Sequence, residues 1–572
     1  MRRILAKHLM ELESAKHLRG PDSPAKAARL LGAMREPRFR DSASLIRFHD
    51  AVLFLRAFPH SPEVLRRTEQ LLAGVSREAR RLRESGADMD PFDHEQVSGI
   101  AGTELRDRFT YDVARWLKQR YPRQIRAAWD IDEQARPLSA ALPRFLPLLE
   151  DDSLVEADTP YLTWMSRAAD ECHELEWLLQ RFHEACLSPA QRTELYDALG
   201  IELRWELEDG PASRTFARRA TLEPFFHTEP LIRRNQVSLE KEFASPQLPV
   251  RKLSAREGDE ILNMCRDAVT VRYRELYGTT RGDPTQVYEA NPGRGVQIFL
   301  WGLPPERRLP LRAYHAGFTL KNGVPINYIE GISLFEWMEI GFNTFYAYRD
   351  GETAWVYSKV LHFLHQLTGV TCLSVYPYQI GHENEEAIKS GAFWFYRKLG
   401  FRPGRPDLLT LVQKEERKMA GGPAYRTSAS TLRRLAAGHI FYEVGGSGRG
   451  CWDTFATRNL GFAVQKKMKE AFAGDAGRIR QAASADLSQW LKVDLASWGP
   501  LERSAFDNFA ILALVAPELK QGNRDQQQLF LEIIRAKSAA DEIEYLRMLR
   551  QHEGLRETLL RMGSAPIDAA RP

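Results

Sequence analysis

The sequence predicts an α+β multidomain protein in which a central region of mixed α/β structure lies between two mainly α-helical regions. Three observations support this fold class. The chain has 572 residues, whereas a single domain typically has about 100–200. Apolar residues recur at helical spacing before residue 245 and after residue 420, and strand-like segments alternate with helical ones between those limits. We therefore predict domains at 1–245, 246–420 and 421–572.

The composition is that of a globular protein with little net charge. Hydrophobic residues make up 43% of the chain and charged residues 27%, values that are ordinary for chains that bury a core. The 80 basic and 76 acidic side chains leave a net charge of +4. Because nucleic-acid-binding domains usually carry a marked basic excess, this balance argues against a nucleic-acid partner.

The cysteines and the first residues predict the compartment. The five cysteines are scattered without CxxC spacing, which argues against a disulfide scaffold and a structural zinc site. The scattered cysteines favour a reducing, cytoplasmic environment. His362 and His365 have no obvious third ligand, so we expect no metal. The opening MRRILAKHLMELESAKHL lacks the apolar core of a signal peptide, and no apolar run is long enough to span a bilayer. We expect a soluble protein without a membrane partner.

Helices are predicted along most of the first region. Apolar residues between Leu45 and Leu55 recur at helical spacing, and Pro59 ends that helix. Ser61 followed by Pro62 is typical of a helix start, with the serine as N-cap. Further helices are predicted over 103–120, 160–186 and 188–199.

Strands are predicted from about residue 247 onward. A short strand over 248–253 precedes a helix that begins after Ser254 and runs to about Tyr277. Asn322 and Gly323 then predict a tight hairpin, because both residues tolerate positive φ. The strand-like segments around them are 296–303, 311–320 and 324–334, and after about residue 430 helices dominate except for a strand at 439–444.

The segment 342–402 carries the most chemical information. It predicts a strand over 342–347, a turn at Asp350 and Gly351, a helix over 353–366, a strand over 371–376 and a second helix that ends at Gly400. The first amides of a helix are unpaired and carry partial positive charge, so a strand–turn–helix junction can bind phosphate. Gly351 permits close approach of a ligand to the backbone, and Arg349 adds a positive charge.

The second helix contains the most specific motif. Residues 392–401 read AFWFYRKLGF and closely resemble the terminal signature A-x-x-F/L-Y-x-K-x-G-F of the GNAT superfamily of acyl-CoA-dependent N-acyltransferases. A helix with a glycine C-cap explains Gly400 but not the whole set of matches. Together with the preceding order of strand, turn, helix and strand, the motif indicates that residues of about 250–415 resemble a GNAT domain.

This resemblance implies a binding site for acetyl-CoA or another acyl-CoA as co-substrate. In the family, the strands on either side of the first helix splay apart and the pantetheine arm lies between them like an added strand. The pyrophosphate contacts the loop and helix start, where the family reads Q/R-x-x-G-x-G/A. With Gly351 as anchor, Tyr348 and Thr353 depart from this consensus, while Arg349 and Ala354 lie one residue beyond them. The implied cofactor-binding residues are Phe345, Tyr346, Tyr348, Arg349, Gly351, Thr353 and Ala354.

The resemblance also implies catalytic residues. Tyr396 matches the family tyrosine that protonates the departing CoA thiolate, and a phenol of ordinary pKa, about 10, is close enough to a thiol to act as the acid. GNAT enzymes often use a carboxylate on the central strands as general base, and Glu330, Glu336 and Glu339 lie in that part of the chain. We favour Glu339, because it immediately precedes the strand predicted to flank the acyl group, with Glu330 as the alternative.

One family feature is displaced in this sequence. The family often has an asparagine in an N-x-x-A arrangement after the second splayed strand. Asn384 has that spacing to Ala387 but lies five residues early for the register of Ala392. Either the helix is longer by about one turn, or Lys389 replaces the asparagine, and Gly391 marks a bend.

These expectations define one principal function and two alternatives. The principal one is transfer of an acyl group from acyl-CoA to an amine of a small molecule or a protein, by direct attack within a ternary complex. The degenerate phosphate loop supports a non-catalytic scaffold whose helical regions bind a protein partner. An aminoacyl-tRNA-dependent transferase is the third hypothesis, and the balanced charge argues against it.

Overall fold

The computed structural model describes residues 2–18, 20–35, 37–129, 137–146, 161–169, 174–220, 223–422, 424–446 and 448–564. The protein is mixed α/β and 56% helical, with one large sheet. It divides into two compact units. The N-terminal unit comprises Met1–Pro230 with Asn263–Thr280 and Asn322–Pro325, and the C-terminal unit comprises Leu231–Leu262, Arg281–Lys321 and Ile326–Pro572. No helix within the described residues is both long and apolar enough to cross a membrane.

The N-terminal unit begins with a group of helices around one almost entirely buried helix. That helix, α3, has no exposed residue between Ala51 and Ala57. The next one begins as predicted, because the side chain of Ser61 accepts a hydrogen bond from the backbone of Val64 and Pro62 occupies the first turn. The helices up to residue 200 include α1 (Arg2–Ala15), α2 (Ser23–Ala33), α3 (Ser42–Ala57), α4 (Pro62–Leu72), α5 (Val75–Glu84), α6 (Tyr111–Arg120), α7 (Tyr161–Ala168), α8 (Glu174–Glu184) and α9 (Pro189–Asp197).

A small antiparallel sheet in this unit corrects the sequence analysis. Its strands are β1 (Glu104–Asp107), β2 (Ile125–Ala128) and β3 (Glu202–Glu206), in the order β1-β3-β2. The helix predicted over 103–120 is therefore wrong in its first turns. Strands of four or five residues are too short for a period of two to be distinguished from the helical period. The helix predicted over 160–186 is described as α7 and α8, with residues 170–173 outside the described part of the chain.

From residue 231 onward, nine strands form one sheet with helices around it. The strands are β4 (Val250–Lys252), β5 (Val287–Gly293), β6 (Val296–Trp301), β7 (Ala313–Lys321), β8 (Val324–Leu334), β9 (Trp337–Thr344), β10 (Cys372–Val375), β11 (Arg402–Pro403) and β12 (Ile440–Glu443). Their order is β11-β12-β10-β9-β8-β7-β6-β5-β4. The tight turn between β7 and β8 is confirmed, since Asn322 has a φ of 50° and Gly323 a φ of 78°.

The helices of this part follow the same chain order. They are α10 (Leu239–Phe243), α11 (Ala255–Thr270), α12 (Tyr277–Thr280), α13 (Thr353–Thr368), α14 (Pro377–Ile380), α15 (Glu385–Ser390), α16 (Ala392–Arg397), α17 (Pro406–Gly421), α18 (Ala429–Leu435), α19 (Thr457–Phe472), α20 (Ala476–Leu491), α21 (Pro500–Val515), α22 (Arg524–Ser538), α23 (Glu542–Gln551) and α24 (Glu553–Ser564).

The ends of three helices predicted after residue 250 can be compared with the structure. The helix over 353–366 is confirmed as α13, which ends at a left-handed Gly369. The helix expected from Ser254 to Tyr277 ends earlier, at Thr270. The second helix of the informative segment consists of three short helices, because Gly381 and Gly391 adopt φ values of 126° and 67° that interrupt it.

The last helices and the sheet share one hydrophobic cluster. Phe335 lies at the turn into β9, and Trp337 is the first residue of that strand. Both belong to the same buried cluster as Phe509 and Tyr545 of the C-terminal helices. The ring centroids of Trp337 and Trp452 lie 5.1 Å apart in a stacked arrangement. The C-terminal helices therefore hold the start of β9, the strand on which the candidate site is built.

Candidate functional site

Strands β9 and β10 form the only parallel pair among the strand pairs whose registers the structure describes. Their pairing covers Trp337 to Glu339 on β9 and Cys372 to Ser374 on β10. Beyond it, β9 continues to Thr344 with β8 as its antiparallel neighbour, while the chain leaves β10 and enters α14. The edge of β9 over 341–343 is thus left without a described strand partner, and we call this place the splay.

Gln379, on α14, lies in the splay. Its Oε1 accepts a hydrogen bond from the backbone nitrogen of Phe342 at 3.4 Å. A Cβ atom added to Gly341 would lie 2.8 Å from the Nε2 of Gln379, so a side chain at this position would displace the amide of Gln379. The hydroxyl of Tyr396 lies 3.5 Å from the same Oε1, at the limit of a hydrogen bond. The structure therefore brings Tyr396, one of the predicted catalytic residues, to the splay.

Tyr396 lies on α16 within an aromatic cluster. Its ring packs edge-on against Tyr357 and Phe401, each with a centroid distance of 5.7 Å. Burial raises the pKa of the Tyr396 phenol above the ordinary value on which the sequence argument was based, so the hydroxyl keeps its proton at neutral pH and is a weaker acid toward a thiolate than an ordinary phenol. The hydroxyl of Tyr357 is also buried and has no hydrogen-bond partner in the described structure. Two phenols beside the splay thus retain donor capacity that the folded chain does not use fully.

Glu339 lies at the mouth of the splay, and here the sequence analysis needs a correction. Glu339 does not precede β9 but is its third residue, because the turn from β8 is made earlier, by Phe335 with a φ of 55°. The Nε2 of His439 lies 2.9 Å from the Oε2 of Glu339, and both side chains keep some exposure, 33% and 22%. The ring of Tyr376 packs edge-on against His439 at 5.4 Å.

His439 is the functional candidate that the sequence did not reveal. It lies 100 residues from Glu339 in the chain, immediately before β12. The predicted strand over 439–444 was the only available signal, and it gives no reason to pair this histidine with a carboxylate. The pairing of β12 with β10 places His439 near the splay.

Glu330 occupies the same face of the sheet as Glu339. It is directly opposite Gly341 in the register of β8 and β9, and opposed residues share a face. Gly341 is two residues after Glu339 on β9, so these two positions also share a face. The hydroxyl of Tyr314 donates a hydrogen bond to Glu330. Burial raises the pKa of the Glu330 carboxyl, although this hydrogen bond acts in the opposite direction. Both predicted general bases therefore flank the splay.

Glu336, the third carboxylate considered, has a structural role. It accepts hydrogen bonds from the guanidinium of Arg556 and, at 2.8 Å, from the indole of Trp452. Burial opposes its ionisation, yet these two donors hold the pKa of Glu336 below its usual range. Glu336 thus joins the C-terminal helices to the turn before β9.

The predicted cofactor-binding segment follows β9 as a turn of 3-10 helix. Phe345 and Tyr348 are buried there, so their side chains belong to the core. Arg349 forms an ion pair of 2.6 Å with Glu386, and its guanidinium lies 3.7 Å from the ring centroid of Tyr346. The charge of Arg349 is therefore already partly compensated in this structure.

The start of α13 keeps its first amides open. The helix has no side-chain N-cap hydrogen bond, and the Oγ1 of Thr353 donates instead to the carbonyl of Arg349 at 3.2 Å. The backbone of Gly351 does not adopt a positive φ. Ala354 is buried, so its side chain packs in the core.

Glu352 anchors this helix start from the inside. Its buried carboxylate accepts hydrogen bonds from the backbone of Ile232 at 3.1 Å and from Arg294 at 3.1 Å, and it lies 3.3 Å from the Nζ of Lys321. Burial raises the pKa of such a carboxyl, but the two cations outweigh it and leave the pKa of Glu352 lowered. The loop before α13 is thereby fixed to the sheet.

The remaining sequence features have ordinary partners. Asn384 is the N-cap of α15 and accepts a hydrogen bond from the backbone of Ala387 at 3.1 Å. Lys389 is exposed at the end of the same helix. The Nδ1 atoms of His362 and His365 contact Glu242 at 2.8 Å and the carbonyl of Val370 at 2.7 Å, respectively. In the described part of the chain, no cluster of three or more metal-ligating side chains is found.

Comparison with known proteins gives no match: no family model, no curated protein and no solved structure matches this chain. The candidate site is therefore argued from its own geometry.

Proposed function

We propose that this protein is an acyl-CoA-dependent N-acyltransferase of the GNAT type, in which the region of about 246–420 forms the catalytic domain. The observation that carries the proposal is the splay: a parallel strand pair separates after Glu339 and leaves the edge of β9 without its neighbour. An extended ligand can add to such an edge through backbone hydrogen bonds. Pantetheine, with two amide groups in an extended chain, is a ligand of this kind.

The cofactor would lie along the edge of β9 and over the start of α13. Its pantetheine amide would take the hydrogen bond of the Phe342 backbone from Gln379. Its pyrophosphate oxygens would accept hydrogen bonds from the backbone amides of Thr353 and Ala354, since these belong to the first turn of α13. Arg349 would exchange part of its contact with Glu386 for phosphate.

In the proposed reaction, each of the neighbouring side chains Glu339 and Tyr396 transfers one proton. The nitrogen of the neutral acceptor amine attacks the thioester carbonyl carbon, and Glu339, which His439 orients, accepts a proton from that nitrogen as the tetrahedral intermediate forms. The tetrahedral intermediate collapses with cleavage of the carbon–sulfur bond. The Tyr396 hydroxyl donates its proton to the departing thiolate, and the proton held by Glu339 restores the neutral phenol through solvent. Glu330, on the same face, is the alternative proton acceptor.

A non-catalytic scaffold remains the second candidate, because two observations favour it. The amide of Gln379 already fills part of the splay, and Glu386 already pairs with Arg349. In this alternative, the fold keeps its shape through these internal contacts and binds no acyl-CoA.

Isothermal titration of acetyl-CoA into the purified protein separates the two candidates. The variant Gly351→Glu places bulk and negative charge at the pyrophosphate position, and Gly351 is not among the glycines whose positive φ would strain a side chain. Gly421→Glu is the matched control, since a Cβ there meets nothing within 4 Å. Binding by the parent and by Gly421→Glu, with loss in a folded Gly351→Glu, supports the proposal.

The contrary result is equally clear. If the parent binds neither acetyl-CoA nor longer acyl-CoAs, the transferase proposal fails and the scaffold takes its place. If binding occurs, release of free thiol from acetyl-CoA in the presence of a panel of amines identifies the acceptor class.

A further inference from the structure

A cavity of about 980 Å³ lies in the N-terminal unit. Its walls are formed by α2, the segment that follows it, α3, α4 and α5. Pockets for small molecules commonly enclose about 300–1,000 Å³, so this cavity has room for a ligand of nucleotide size. Among its described lining residues are seven arginines and only two glutamates.

The floor of the cavity is apolar. Phe39 and Phe48 are both 1% exposed, with ring centroids 5.1 Å apart. Leu71 and Val75, also buried, continue this surface. Because the folded chain already covers these side chains, a ligand in the cavity would meet mainly the guanidinium groups around it.

Some of the arginines hold the walls together. Arg67 donates to the carbonyl of Ala28 at 2.9 Å and pairs with Glu63 at 2.5 Å, which joins α4 to α2. Arg81 pairs with Glu78 at 2.8 Å on α5. These guanidinium groups have compensated charges and a structural role.

Three others have no such partner among the described residues. Arg35, Arg38 and Arg77 line the cavity and are exposed, and no ion pair or side-chain hydrogen bond joins them to any described residue. Like charges around one cavity repel each other, and the low-dielectric walls strengthen their combined potential. An anion in the cavity would relieve this repulsion.

We propose that this cavity is a binding site for an organic phosphate. The planar guanidinium fork matches phosphate oxygens in pairs, and Arg35, Arg38 and Arg77 supply three such forks. The volume of the cavity leaves room for the organic part of the ligand beside these groups. A compact cavity of this volume fits a nucleotide-like molecule better than an extended acidic peptide.

The test is isothermal titration of the full-length protein with ATP, inorganic pyrophosphate and a decaglutamate peptide. The variant R35A/R38A removes two lining charges. R29A/R40A removes two charges from exposed arginines of the same chain segment that do not line the cavity. We expect ATP to bind more tightly than pyrophosphate, about tenfold or greater loss in R35A/R38A, and a change within about twofold in R29A/R40A.

Several results would overturn the proposal. These are no ATP binding by the parent, equal losses in the two double variants, or tighter binding of decaglutamate than of ATP. Loss of ATP binding in Gly351→Glu would assign the nucleotide to the proposed CoA site and would also overturn it. Retention of ATP binding in that variant supports a separate site in the N-terminal unit, whether or not the protein is a transferase.

Discussion

The Oε1 of Gln379 lies 3.4 Å from the backbone nitrogen of Phe342, at the place where β9 has lost its parallel neighbour. A side chain after β10 thus satisfies a strand amide that the backbone of β10 does not reach. The same oxygen lies 3.5 Å from the hydroxyl of Tyr396. One amide group therefore joins the free edge of β9 to the proposed proton donor.

Replacement of Gln379 tests whether this amide competes with the cofactor. In Gln379→Ala the Phe342 amide is left for the ligand, and acetyl-CoA should bind about two- to tenfold more tightly, the effect of one net hydrogen bond. Titration calorimetry measures the change, with Gln413→Ala on the exposed side of α17 as control. Weaker binding in Gln379→Ala would mean that the glutamine contacts the bound cofactor instead.

The pair of Glu339 and His439 is expected to control turnover rather than binding. Loss of a general base typically costs about 10²–10⁴-fold in rate, so Glu339→Gln should lower kcat by at least about 100-fold with little change in KM. His439→Gln, which removes the orienting contact, should lower kcat by less than Glu339→Gln does, again with little change in KM.

The matched control for this pair is Glu385→Gln, because that carboxylate is 61% exposed in an ion pair with Arg433. If Glu339→Gln retains full activity and Glu330→Gln loses it, the base is Glu330. If neither changes kcat, the proton is accepted elsewhere and the assignment of both carboxylates is wrong.

The two buried phenols are expected to respond differently to loss of their hydroxyl groups. Tyr396→Phe should lower kcat about 10- to 100-fold, because the leaving thiolate loses its proton donor, with little effect on stability. Tyr357→Phe should raise the free energy of unfolding by about 1 kcal/mol, since it removes a buried hydroxyl without a partner. Steady-state kinetics and urea unfolding of both variants check this, and an unchanged kcat in Tyr396→Phe would remove it from the mechanism.

Glu352 is expected to make stability depend on pH in the acid range. Its pKa is lowered in the folded protein, because Arg294 and Lys321 outweigh the effect of burial. The stabilisation is therefore complete above the unfolded pKa, about 4.3, and is lost as the pH falls through the lower folded pKa. Urea unfolding from pH 7 to pH 3 should show the parent and Glu352→Gln converging in acid, and a constant difference would contradict the prediction.

The buried ion pair of Lys537 and Glu542 is expected to be a strong determinant of stability. The two side chains are 4% and 1% exposed, and the Nζ of Lys537 also donates to the carbonyl of Arg312 at 2.9 Å. Lys537→Ala leaves a buried carboxylate without its cation and should cost about 3–5 kcal/mol. The double variant Lys537→Met/Glu542→Leu should be less destabilised than the sum of the single ones, which chemical unfolding can measure; strict additivity would contradict a coupled pair.

Much of the local structure followed from the sequence. Strand β8 occupies the predicted segment 324–334, the Asn322-Gly323 turn has the predicted backbone, and α13 begins at Thr353 as expected. These features depend on residues close together in the chain: a period of two, two residues that accept positive φ, and a glycine that ends a helix. Gly381 and Gly391 show the limit of this approach, because they divide a predicted helix into short pieces.

The candidate site depended on distant parts of the chain. The sequence by itself determined which side chains are available: Tyr396 in its motif, the carboxylates of the central strands, and the arginines between residues 35 and 81. Only the tertiary structure decided that His439 contacts Glu339, that Gln379 covers Phe342, and that the arginines of three N-terminal segments surround one cavity. The physical reason is that strand order and helix packing, which bring these residues together, arise from burial of nonlocal surfaces, and no short stretch of sequence encodes which surfaces will meet.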